Sequence, residues 1–127
     1  MSSTDAFKSF VGLNYRQVKL LMRKSCICIN KYADKMLEME SCDQTLSEEY
    51  CATYESLLLE RLDICRKLHE FYIEDRKRSC WLFRWLIDRH IIQVSQLHKE
   101  TLSQLMLLRN YMALQTYMVE ESGKFID

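Results

Sequence analysis

Residues 41–49 read SCDQTLSEE, the clearest interruption in an otherwise helical pattern. Serine, aspartate and threonine side chains compete for backbone hydrogen bonds, which favours turns and caps over helix interiors. Thr45 with Glu48, or Ser47 with Glu48 and Glu49 in the next turn, makes a helix start. The stretch therefore ends one helix and begins another, and the fold follows from how few such places exist.

Proline is absent from the 127 residues and glycine occurs only at Gly12 and Gly123. Sheets and loop-rich enzymes can hardly be built without such breakers, so the chain reads as one all-α domain, long enough to bury a core without metal or disulfide staples. Upstream of the break, steps of four and three from Phe7 give Val11, Asn14, Val18, Leu21, Ser25, Cys28, Tyr32, Met36 and Met39, of which seven are apolar or aromatic, the pattern of an amphipathic helix. It is expected over about 5–40, capped by Ser3 or Thr4 with Asp5 at the positive end of its dipole. Downstream, Tyr50, Tyr54, Leu57 or Leu58, Leu62, Cys65, Leu68 and Tyr72 form the stripe of a second helix over about 47–77, fading at EDRKRS. A third, over about 80–121, carries Phe83, Ile87, Ile91, Val94, His98, Thr101, Leu105, Leu108, Met112 and Val119. The expected architecture is an elongated antiparallel bundle of three long helices. The alternative is four helices, broken near residues 97–104 (LHKETLSQ) with Thr101 as the new cap, because an unbroken third helix of roughly 60 Å overhangs a compact domain of this size.

Formal charge is zero, but by cancellation between adjacent blocks. Lys8, Arg16, Lys19, Arg23, Lys24, Lys31 and Lys35 against Asp34 give +6 over residues 8–35. Asp34, Glu38, Glu40, Asp43, Glu48, Glu49, Glu55, Glu60 and Asp63 against Lys35 and Arg61 give −7 over residues 34–63. Folding the second helix back on the first predicts Glu55 near Lys31 and Lys35, and Glu60 and Asp63 near Arg23 and Lys24. Lys8, Arg16, Lys19 and Arg23 fall within about a quarter turn on the wheel, a stripe able to track phosphates or lie on anionic lipid.

The amino-terminal MSSTDAFKSF lacks an apolar signal core, no run approaches the ~20 apolar residues of a membrane span, and no N-x-S/T sequon occurs. The expected location is intracellular, cytoplasmic or nuclear. There the six cysteines are expected to be reduced and mostly buried, acting as small hydrophobes.

Chemical motifs are sparse. Cys26 and Cys28 are two apart and point to different sides of a helix, His90 and His98 are separated by about 12 Å along the axis, and His69, His90 and His98 each lack a glutamate three residues before. No metal or other cofactor is expected. Cys80 follows Arg76, Lys77 and Arg78, which would favour its thiolate with His69 or His90 as base, but the expected reading is a buried cysteine at a helix junction. Without a phosphate loop, a nucleophile elbow or paired catalytic carboxylates, no enzyme is expected.

Apolar surface remains over. Leu107, Tyr111, Leu114 and Met118 form a stripe about 120° from the core stripe, and Trp81, Trp85 and Ile92 define a third direction flanked by Arg84 and Arg89. A fourth helix or the corner between helices, a partner or second copy, or a membrane surface could cover the tryptophans. Asp88 disfavours the last, and tryptophan beside arginine is the composition of interface hot spots. The functional expectation is a protein-interaction module, an adaptor, scaffold or oligomer subunit receiving a partner's amphipathic helix or its own copy. The alternative is a nucleic-acid or anionic-membrane adaptor acting through the basic face of helix 1.

Overall fold

A computed structural model describes residues 12–126 and shows three helices: α1 (Tyr15–Ser41), α2 (Glu48–Arg78) and α3 (Trp81–Ile126). No strand occurs among the described residues.

The helix starts show how local chemistry sets the boundaries. Asn14 is the N-cap of α1: its side chain accepts from Gln17 N at 2.9 Å while Gln17 Oε1 accepts from Asn14 N at 2.8 Å, a reciprocal capping box. Gly12, at φ +83°, takes a left-handed turn just before it. The continuous helix expected from Asp5 is thus interrupted before Tyr15, and the caps expected at Ser3 or Thr4 lie outside the described residues. At α2, Ser47 Oγ accepts from Tyr50 N at 3.1 Å. Glu48 and Glu49 occupy its first turn and Arg76, Lys77 and Arg78 its last, matching the dipole at both ends. Two residues then suffice for the corner into α3, which Arg76 and Asp88 bridge at 2.6 Å.

The core hangs on α2, which packs against both α1 and α3, while no Cα of described α1 comes within 8 Å of one in α3. One apolar cluster joins Val18, Ile64, Cys65, Leu68, Tyr72 and Val94. The other joins Ile29, Cys51, Tyr54, Leu58, Leu62, Leu105 and Leu108. Aromatic contacts anchor the two ends: the Tyr15 and Tyr72 hydroxyls share a hydrogen bond of 2.9 Å, and the Tyr32 ring stacks on Tyr50 at 4.4 Å.

A polar layer separates the clusters. Arg61 is buried, its Nε donating to Thr101 Oγ1 at 2.7 Å and its Nη2 to Gln104 Oε1, with Cys26 Sγ 4.0 Å from Nη1. Thr101 in turn donates to the Leu97 carbonyl at 2.7 Å. Thr101 therefore caps nothing: its hydroxyl is satisfied inside a continuous helix, and the expected break near residues 97–104 does not occur. At 1.5 Å per residue the 46 residues of α3 extend about 69 Å. The 27 of α1 and 31 of α2 reach only about 40 and 46 Å. The helix overhangs rather than breaks.

The opposed charge blocks do not meet as expected. Glu55 pairs with Arg109 of α3 at 3.3 Å, and Asp63 with Arg66 of its own helix at 3.6 Å. Among the described residues no ion pair joins α1 to α2 and apolar side chains form the seam, which is consistent with the small worth of exposed pairs.

Candidate functional site

The side chains left over after the core is filled lie on α3. Along its outward side Trp81, Trp85 and Ile92 are all exposed, with Arg84 and Arg89 on either flank and exposed too. Arg84 Nε reaches back to the Ser79 carbonyl at 3.3 Å, so one flanking cation is oriented by the corner itself. Phe83, expected in the core stripe, is exposed beside them. At this end α2 has reached its last turn and α1 begins at Tyr15, level with Phe71 and Tyr72, so among the described residues too little helix is present to cover the start of α3.

The second set does converge. Leu107, Tyr111 and Leu114 form the α3 wall of a cleft of 470 Å³, opposite Met36 and Leu37 of α1 and floored by Tyr54 of α2. Leu107, Leu114 and Leu37 are exposed; Tyr111 is half-buried, its hydroxyl accepting the Leu46 N–H at 2.9 Å. The cleft exists because α1 and α3 flank α2 with no Cα of one within 8 Å of the other among the described residues, so the stripe that a closed three-helix bundle would bury stays open. Met118 is exposed farther along the overhang, and the side chain of Val119 lies outside the described ones. The two sets stay separate: the tryptophan line faces outward, and the cleft wall lies about 60–120° round the helix at 100° per residue.

Sequence reasoning passed over Leu37 in the cleft, and Met106 and Tyr117 on the outward line, all exposed. The last two were detectable: Met106 is 25 and Tyr117 36 residues from Trp81, which brings both back to nearly its side of the helix. Buried Arg61 had no comparable signal, since the run ERLD around it reads as surface.

The basic face of α1 is present as expected. Arg16, Lys19 and Arg23 are exposed, and none takes part in an ion pair among the described residues. Lys19 Nζ stands 5.4 Å from the centre of the Tyr15 ring. Lys8 lies outside the described residues.

The cysteines depart from expectation. All six are free, but only Cys51 and Cys65 are buried; Cys26 is half-buried, and Cys28, Cys42 and Cys80 are exposed. Cys80 is thus exposed, not the buried junction residue anticipated. His90 is stacked on Tyr72 with ring centres 5.3 Å apart. His69 and His98 line a cavity of 370 Å³ with Cys65, Arg66 and Lys99. Burial pushes the Cys65 thiol up to about 11, outweighing the opposing Arg61 charge, so it stays protonated and is a poor nucleophile. Burial, and then the hydrogen bond shared with Tyr15, likewise raises Tyr72. Among the described residues no three histidine, cysteine, aspartate or glutamate side chains are arranged to hold a metal ion, and no helix is long and apolar enough to cross a membrane.

Compared with family models, curated proteins and solved structures, the chain matches none.

Proposed function

We propose that this chain is a non-enzymatic protein-interaction module, a helical bundle that serves as a subunit or adaptor by docking protein helices on α3. One observation carries the reading: Trp81, Trp85, Ile92, Met106 and Tyr117 stand exposed along one line of a helix whose opposite side already fills the core. Apolar area removed from water stabilises a complex by about 25 cal/mol per Å², so a line of this size is a standing drive to associate. Arg84 and Arg89 beside the tryptophans supply polar edges of the kind that fix orientation at hot spots. The cleft lined by Leu37, Leu107 and Leu114 offers a second seat for an apolar helix face. No cofactor is required for any of this.

The test is recovery of the tagged chain from its source cells, with its mass in complex read by light scattering. The wild type is expected in a species larger than the free chain, and Trp85→Glu is expected to release it while keeping its helical circular dichroism. A free chain in both preparations would end the reading; an unfolded Trp85→Glu would assign the tryptophans to the core instead.

A second reading has its own support. Arg16, Lys19 and Arg23 carry no ion-pair partner among the described residues, so the charge of α1 is available to phosphates of nucleic acid or of an anionic membrane. Binding to RNA or to phosphatidylserine vesicles that weakens steeply with salt, and is lost in Arg16→Glu/Arg23→Glu, would favour it over α3 docking. Lack of binding at low salt would remove it.

A further inference from the structure

The outward line of α3 has an order of its own. Steps of three and four from Trp81 lead through Trp85, Asp88, Ile92 and Ser95 to Lys99, and onward through Ser103, Met106, Asn110 and Ala113 to Tyr117. All lie within about 40° of one direction at 100° per residue. The sequence of step lengths is the same read from either end, with Lys99 at its centre. The chemistry mirrors as well. Trp81 and Tyr117, both aromatic, are each eighteen positions from Lys99; Ile92 and Met106, both apolar, are each seven away; Ser95 and Ser103 are each four away.

We infer that the occupant of this line is a second copy of the same chain, its α3 lying antiparallel across the first on a two-fold axis at Lys99. This rests on the interaction reading above and names its partner. In such a pairing every contact occurs twice, as an isologous interface requires. Trp81 meets Tyr117 of the partner subunit, bulky Trp85 is set against the partner's small Ala113, and Ile92 meets the partner's Met106. The serines nearest the axis let the helices approach closely. The Asn110 amide of the partner subunit can donate to Asp88, whose Oδ1 already accepts from Arg76.

Charge and area both favour this occupant. The two Lys99 ammonium groups repel at the axis, but each has the partner's Glu100 one residue away, within reach of the four-carbon stem. A parallel pairing would instead set Asp88 against the partner's Asp88 and align the helix dipoles. The exposures are 76% for Trp81, 62% for Trp85, 57% for Ile92, 65% for Met106 and 59% for Tyr117. At about 200 Å² for a fully exposed large side chain, these offer roughly 1,300 Å² over two chains, within the ~1,200–2,000 Å² of specific interfaces. The buried Thr101, Leu105 and Leu108 face far round the helix from the line, and α2 borders it along one side only, where Arg76 reaches Asp88 and where Ser95 and Lys99 line a cavity with Cys65, Arg66 and His69.

The test begins with sedimentation equilibrium of the purified full chain up to about 100 µM, a range that captures even weak dimers. A mass of twice 15.3 kDa is expected. Met106→Glu should weaken the dimer at least about thirtyfold, because it sets an unpaired charge in an apolar contact. Leu82→Glu, also exposed but about 100° round from Trp81, should leave the dissociation constant unchanged. Lys99→Glu, a polar exchange at an exposed position, should weaken the dimer without endangering the fold, since four carboxylates then crowd the axis. For orientation, Trp81→p-benzoylphenylalanine is irradiated in mixed light and ¹⁵N-labelled protein. The expected adduct joins it to the other copy's tryptic peptide of residues 110–124. A monomer at all concentrations, a dimer untouched by both Met106→Glu and Lys99→Glu, or an adduct to the other copy's residues 79–84 would each overturn the proposal. A monomer that still needs Trp85 to assemble in cells would overturn self-pairing while leaving the interaction reading intact.

Discussion

Leu107 and Leu108 are the same residue, adjacent on the same helix, and they meet opposite surroundings. Leu108 is sealed between α2 and α3 in the apolar cluster around Leu58 and Leu105, whereas Leu107 stands exposed on the cleft wall about 100° away. The difference extends along the helix. The face toward α2 carries Val94, Thr101, Leu105 and Leu108, all buried, and the outward face carries Trp81, Trp85, Ile92, Met106 and Tyr117, all exposed. Both faces are apolar at helical spacing. What separates them is the presence of a neighbour, and burial on α3 is a property of α2 as much as of α3.

The sharpest way to break this contrast is to truncate both leucines. Leu108→Ala should lower unfolding free energy by about 2–5 kcal/mol, because it leaves a cavity as well as losing transfer energy. Leu107→Ala should stay within about 0.5 kcal/mol in the same urea titration. Comparable losses would mean that the cleft wall is packed in solution.

The polar layer sharpens the contrast within the buried face itself. Thr101→Val keeps the shape but leaves the Arg61 Nε–H without its acceptor, at a cost of about 1–3 kcal/mol. A neutral result in chemical unfolding would show that water reaches Arg61.

A smaller effect of opposite sign is expected at Asp63. Its carboxyl is held above the ordinary carboxylate value of 3.8, chiefly by burial and only partly offset by Arg66, and its Oδ2 is buried without a hydrogen-bond partner. The native state then holds this proton more tightly than the unfolded chain does, so the group costs stability as pH rises through its raised value and the cost vanishes below the unfolded one. Asp63→Asn should therefore raise the urea midpoint at pH 7, with the gain shrinking on acidification. An equal gain at pH 7 and pH 3 would assign it to shape rather than charge.

The helices and the core line were legible because both rest on period and punctuation: SCDQTLSEE gave the first corner, and Tyr54, Leu62, Cys65, Leu68 and Tyr72 are buried as their spacing implied. The start of α1 was misplaced because apolar spacing through Phe7 and Val11 continues past Asn14, and a helical period does not register a cap that overrides it. The ion-pair register failed for a related reason. Charge blocks specify attraction between segments, but Glu55 had a cation within reach on α3 as well as on α1. For the candidate site, Trp81, Trp85, Leu107 and Leu114, which the spacing leaves outside the main core stripe, are exposed. That Leu107 and Leu114 would line an open cleft was not legible, because the separation of α1 from α3 depends on how three helices pack together.

The short connection between α1 and α2 is held from two sides. Gln44 N donates to the Met39 carbonyl at 2.9 Å, fastening the first part of the connection to α1, while two residues later Leu46 N is fastened to Tyr111 of α3. Thr45 is the joint left between the two fastenings. The α2–α3 hairpin is then a frame against which α1 is set by its buried Val18 and Ile29 and by the Tyr15–Tyr72 hydrogen bond, so the width of the opening follows from where a single helix is seated.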